Sequence, residues 1–153
     1  MEPIGATDYR NGARERLLEA YVLLKSEMFA GSAYLGGRAV EGMLRAVIWK
    51  ADPDYGTGRK SLETGHDLAQ LLRVARDLGV LQTQGMRESI PGHVQKVSRL
   101  WWNNMRYLPA AKVKTEWYNL KEIGGKRTMK VAAEDYFDAC SDIIRRFEVL
   151  WQG

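Results

Sequence analysis

Helical periodicity in the long segments, the lack of any apolar run of membrane length, and a single cysteine together predict an all-α globular domain. The expected form is an up-down bundle of four to five helices, with a small β-hairpin or loop inserted at about 115–130 before the last helix. A chain of 153 residues is one domain by length. At that size roughly 70% of the unfolded surface can be buried without disulfides. Hydrophobic residues make up 45% and charged residues 27%, values of a packed domain rather than of a disordered chain.

The first helix is read over about Ala13 to Phe29, where Leu17, Tyr21, Leu24 and Met28 form one apolar stripe. The second runs from about Ser32 to Lys50. Gly36, Val40, Met43, Val47 and Ile48 line its apolar face, and Tyr34, Arg38, Glu41 and Arg45 share another. Adjacent Gly36 and Gly37 each cost a helix about 1 kcal/mol relative to alanine, so they imply close helix–helix contact. Turn-forming residues follow through ADPDYGTGRKSLETG. The third helix then spans about His66 to Leu78, with Leu68, Leu71, Leu72, Ala75 and Leu78 inward and Gly79 as its stop.

The fourth helix is expected to start at Ser89-Ile90-Pro91, with serine as cap and proline in the first turn. It continues to about Tyr107, because Pro109 disfavours helix in the residue before it. Val94, Val97, Trp101 and either Asn104 or Met105 form its core stripe. Trp101 and Trp102 cannot face the same way, so Trp101 is assigned to the core and Trp102 to a groove or dimer contact. From Thr115 to Lys130, short alternating runs around Gly124-Gly125 read as a glycine-turn hairpin, or else an extended loop. The last helix, about Ala133 to Trp151, buries Tyr136, Cys140, Ile143, Phe147 and Leu150.

Composition bounds the function. No apolar run approaches the about 20 residues of a membrane helix, and the N-terminus lacks a secretion-signal pattern. One cysteine and two histidines make a poor zinc site, so neither metal nor cofactor is expected, and the cytoplasm is the expected compartment. Tyr55-Gly-Thr-Gly-Arg-Lys60 only superficially suggests a phosphate loop, since no apolar strand precedes it.

Charge is unevenly spread. The chain carries +4 overall, but nine basic residues against Glu116 and Glu122 give the Val94–Val131 segment +7, leaving −3 elsewhere. A localised anionic partner fits this asymmetry. Lys96, Arg99, Asn103 and Arg106 recur at helical spacing, with Trp102, Tyr107, Lys112, Lys114, Trp117 and Tyr118 beside or beyond them. Cations neutralise phosphates and aromatic rings stack on unpaired bases, so these residues are the candidate nucleic-acid-binding set. A solvated basic face over buried tryptophans is the alternative. Arg38, Glu41 and Arg45 are either polar residues of a cleft or a helical salt-bridge ladder. His66 caps or orients the third helix.

Three stretches, in this order, resemble the HEPN superfamily of nucleotide- and RNA-associated helical domains. AGSAYLGGRAVEGMLRAVI resembles its small-residue helix with an embedded acid, here Glu41, and a base four residues on, here Arg45. GHDLAQLL resembles its short His-Asp-Leu helix. WWNNMRYLP resembles the segment in which an aromatic precedes an Arg-Tyr or Arg-Asn pair. The resemblance implies a helical bundle, often a homodimer, in RNase toxins, defence systems and partners of nucleotidyltransferases. RNA or a nucleotide is the implied ligand, with an antitoxin or nucleotidyltransferase as possible partner protein.

Catalytic members carry Arg followed after four to six residues by His, and two such motifs meet across a dimer cleft. Here Ala111, Lys112 and Val113 occupy the positions where the histidine after Arg106 would stand. A literal match lies upstream, from Arg87 to His93, interrupted by Pro91-Gly92. The leading expectation is therefore a non-catalytic nucleic-acid or nucleotide-associated module. The alternatives are a metal-independent endoribonuclease using Arg106, Tyr107, Arg87 or His93, and a purely structural protein-interaction domain.

Overall fold

A computed structural model describes residues 4–56 and 65–151. Among the described residues six α-helices carry the fold: α1 (Ala6–Lys25), α2 (Phe29–Ala51), α3 (Leu68–Asp77), α4 (Gln84–Leu100), α5 (Ala110–Asn119) and α6 (Met129–Glu148). Short 3₁₀ turns occupy Asn103–Tyr107 and Val149–Trp151. The all-α prediction holds, and no strand forms among the described residues. The glycine-rich turn read at residues 55–60 lies mostly outside them. No helix among those described is long and apolar enough to cross a membrane.

α2 is the central element because it is the most apolar. Thirteen of its residues are buried, and it packs against α1, α3, α5 and α6. Its small residues set those distances. A methyl group on Gly36 would stand 3.2 Å from Cys140 Sγ, and one on Gly37 only 2.2 Å from the Trp101 ring. The two glycines thus serve close contacts within the chain, with Cys140 on α6 and with Trp101. Trp101 is buried as assigned, and its indole N–H donates to the Tyr34 carbonyl at 3.1 Å.

Several boundaries differ from the sequence reading. α1 ends at Lys25, and Glu27 then adopts φ 59°, so Met28 belongs to the next helix. Ala13, Ala20 and Leu24 form its buried side, leaving Tyr21 and Met28 exposed. α3 is capped by the Asp67 carboxylate, which accepts from the Gln70 N–H at 3.1 Å. Gly79 at φ 74° closes α3, with its N–H on the Arg76 carbonyl and the Val80 N–H on that of Ala75.

α4 starts at Thr83, whose hydroxyl accepts from the Met86 N–H at 3.0 Å, so Pro91 lies inside the helix rather than in its first turn. It stops at Leu100 because Trp101 and Trp102 are extended, the conformation that lets the Trp101 indole reach α2. The hairpin is absent. Residues 110–119 are helical because Val113 and Trp117, one turn apart, both reach the core, where the Trp117 indole donates to the Leu100 carbonyl at 3.0 Å. What survives is a tight turn: Gly124 and Arg127 exchange two backbone hydrogen bonds across Gly125, at φ 58°.

Candidate functional site

The polar face of α2 is where ionisable groups converge. Tyr34, Arg38, Glu41 and Arg45 follow at four, three and four residues, a line of about 16 Å on a helix. Glu41 is only 5% exposed, a position that a carboxylate holds only with partners. It has three. Arg38 Nη1 donates at 3.1 Å, Arg45 Nε at 3.0 Å, and His66 Nδ1 lies 3.0 and 3.1 Å from the two carboxylate oxygens. Arg45 spends its remaining nitrogens on the Tyr55 hydroxyl at 3.1 Å and on the Gly65 carbonyl. The trio read from sequence as cleft or ladder is thus a buried network, extended by His66 and Tyr55 from outside the helix.

His66 is not the cap of α3, a role that Asp67 takes. With Nδ1 turned to Glu41, its ring is held in one orientation and its side chain stays 47% exposed. That arrangement of buried carboxylate and outward imidazole can bind an anion or exchange a proton. Beside the network, between α1 and α2, lies a hollow of about 300 Å³ whose lining includes Tyr9, Arg16, Arg38, Glu41 and Arg45.

Arg106 stands at the other end of the same face. It is exposed, lies over the Tyr107 ring at 4.6 Å, and donates to Asn103 Oδ1 at 3.0 Å. Interactions with the Tyr34 and Tyr107 hydroxyls raise its pKa further, so it is a permanent cation. Among the described residues it pairs with no carboxylate. Tyr107 is 71% exposed, an open aromatic face beside that charge.

The remaining members of the basic set do not share one face. Asn103 and Arg106 sit on the 3₁₀ turn, separated from Lys96 and Arg99 by the extended tryptophan pair. Lys96 is paired with Asp135, and Arg99 donates to Glu122 at 2.6 Å and to the Leu120 carbonyl at 3.0 Å. Arg127 closes the cluster, with Glu122 at 3.0 Å and Asp135 at 2.8 Å. Lys96 and then Arg127 hold the Asp135 carboxyl below its usual range despite partial burial. These cations fasten α4 to α6 and to the loop after α5. Trp102 is half-buried against the core. Lys112 and Lys114 are exposed but point about 160° apart on α5, and Lys114 rims a separate apolar hollow with Met28, Phe29 and Met129.

Arg87 and His93 diverge by about 120° around α4. The Arg87 guanidinium donates to the Leu81 carbonyl at 2.9 Å, whereas His93 Nδ1 faces Asp142 at 3.5 Å without a hydrogen bond. Asp142 is the group that sequence reasoning missed. Burial opposes its ionisation, but the Ser89 hydroxyl at 2.7 Å, with Arg146 and Arg145, outweighs that and holds the carboxyl at about 2. Ser89 and Lys96 are seven residues apart, as are their partners Asp142 and Asp135. Matching polar heptads on antiparallel helices were the signal available. No group of three or more metal-ligating side chains is found among the described residues.

Comparison of the chain with family models, with curated proteins and with solved structures gave no match.

Proposed function

We propose that this chain is an HEPN-like module that holds a phosphate-bearing ligand, RNA or a nucleotide, without cleaving it. In this reading it acts as a homodimer beside a partner protein of a defence, toxin–antitoxin or nucleotidyltransferase-linked system. The observation that carries it is the polar face of α2, where Tyr34, Arg38, Glu41 and Arg45 follow in line, joined by Arg106 of the 3₁₀ turn at the Tyr34 end and by His66 at Glu41. Three guanidinium groups outnumber one carboxylate there. Arg38 and Arg106 keep exposed nitrogens for phosphate oxygens, and Tyr107 offers a ring to a base. The ligand site therefore shifts from the α4 cations, which are ion-paired, to α2 and the 3₁₀ turn.

Fluorescence anisotropy with a labelled single-stranded oligoribonucleotide tests this, with AMP as competitor. A charge-assisted phosphate contact contributes about 1.5–3 kcal/mol, so Arg38→Ala with Arg106→Ala weakens binding by about a hundredfold or more. Arg73→Ala, whose guanidinium contacts Gln70 on the surface of α3, leaves it unchanged. A folded double variant that binds like the wild type refutes the proposal.

One observation favours a second reading, a metal-independent ribonuclease: Glu41 orients His66 as a catalytic imidazole needs to be oriented. The 2′-hydroxyl would pass its proton to His66 as its oxygen bonds to phosphorus, and the P–O5′ bond would break to leave a 2′,3′-cyclic phosphate, the departing 5′-oxygen taking a proton from water. RNA cleavage in the presence of EDTA that disappears in His66→Asn, with binding retained, selects this reading over the first.

A further inference from the structure

We infer that the outer face of α1 is a homodimer interface, on which a second copy of this chain packs antiparallel about a two-fold axis near Ala20. The inference rests on the homodimer reading above and names the surface that it requires. Asn11, Glu15, Leu18, Val22 and Lys25 recur at four, three, four and three residues, so they form one stripe along the helix. All five are exposed, and the apolar pair at the centre is the most conspicuous feature, with Leu18 65% and Val22 57% exposed. The inward side of α1 is supplied by Ala13, Ala20 and Leu24, so the outer stripe has no task in the core.

Charge selects the occupant and its direction. With the axis between Leu18 and Val22, antiparallel pairing sets each Leu18 against the second copy's Val22. The same register sets each Glu15 against the second copy's Lys25, twice by symmetry. A parallel pairing would instead oppose Glu15 to Glu15 and Lys25 to Lys25, which like-charge repulsion disfavours.

Both end charges are available for this. Among the described residues Glu15 pairs only with its neighbour Arg16, at 3.4 Å, and Lys25, over the Tyr21 ring at 5.4 Å, pairs with no carboxylate. A shallow hollow of about 410 Å³ lined by Asn11, Arg14, Glu15 and Leu18 lies where the second copy's Lys25 arrives beside Glu15. Tyr21, in contact with Phe137 at 5.8 Å between ring centroids, borders the stripe on the α6 side. One helix of about 30 Å per copy makes a seam at the small end of specific interfaces, so the dimer is a weak one.

Sedimentation velocity at low salt, from micromolar to sub-millimolar protein, tests the inference. The wild type shows a concentration-dependent monomer–dimer equilibrium. Glu15→Lys or Lys25→Glu alone turns two attractions into two repulsions and raises the dimer dissociation constant by about tenfold or more. The double variant, Glu15→Lys with Lys25→Glu, recreates both pairs and restores the wild-type constant, which no other register or interface predicts. Both positions are exposed, and circular dichroism of each variant verifies folding.

A wild type that stays monomeric overturns the inference, as does a dimer indifferent to the single reversals or one the double reversal fails to rescue. RNA binding is read separately on α2 residues. A monomer that binds RNA therefore removes this interface and leaves the ligand reading standing.

Discussion

Replacing Glu41 by Gln keeps the side-chain volume and removes one negative charge from beneath three donors. The Arg45 side chain is 9% exposed, so its guanidinium would remain inside the protein without the carboxylate that meets Nε at 3.0 Å. Breaking a buried ion pair by removing one partner costs about 3–5 kcal/mol. The Gln carbonyl retains one acceptor, and Tyr55 and Gly65 still hold Arg45, which places the cost near about 3 kcal/mol. For a domain of 153 residues that lowers Tm by about 10 °C. Arg38→Gln removes a partner that is 37% exposed and costs less than about 1 kcal/mol. Thermal and urea unfolding of the two variants, followed by circular dichroism, give both values. If Glu41→Gln stays within about 0.5 kcal/mol of the wild type, the carboxylate is not what stabilises Arg45 and the argument fails.

Two further predictions concern packing and pH. Asp142 is held at about 2 against an ordinary 3.8, so its stabilisation is complete above pH about 4 and is lost as pH falls towards 2. Asp142→Asn therefore costs about 2 kcal/mol at neutral pH, and urea titrations of variant and wild type converge near pH 2; a pH-independent difference contradicts this. Gly37→Ala drives a methyl group into the Trp101 ring and costs about 3 kcal/mol, whereas Gly36→Ala meets Cys140 Sγ at 3.2 Å and costs less. Melting curves showing the reverse order would refute the assigned contacts.

The elements that were legible in the sequence are those whose signal is local. The α2 stripe, Leu68, Leu71 and Leu72 on α3 with their glycine stop, and Tyr136, Cys140, Ile143 and Phe147 on α6 needed only helical spacing, whereas Leu78 is exposed and Leu150 is half-buried beyond the end of α6. So did the sharing of one face by Tyr34, Arg38, Glu41 and Arg45. Errors arose where tertiary contact overrides local preference. Glycines at 124 and 125 make a turn, but Val113 and Trp117 one helical turn apart decide that the residues before it coil. Trp101 leaves the helix because its indole fits against Gly37, a contact 64 residues away in sequence that no window on α4 displays. The same limit governs the site. Counting charges located the basic segment, yet Lys96, Arg99 and Arg127 meet acids on α6 and in the loop after α5. His66 joined the site only through its distance to Glu41.

We propose that phosphate is bound by Arg38 and Arg106 and not by the cations of α4. The salt dependence of single-stranded RNA binding tests it most directly, since each lost phosphate contact reduces the slope of log affinity against log salt by roughly 0.7. The slope for Arg38→Ala with Arg106→Ala should be shallower than the wild type's by roughly 1.4, while that for Arg99→Ala, ion-paired with Glu122 at 2.6 Å, should be unchanged. A double variant that keeps the wild-type slope, or an Arg99→Ala variant that flattens it, contradicts the claim.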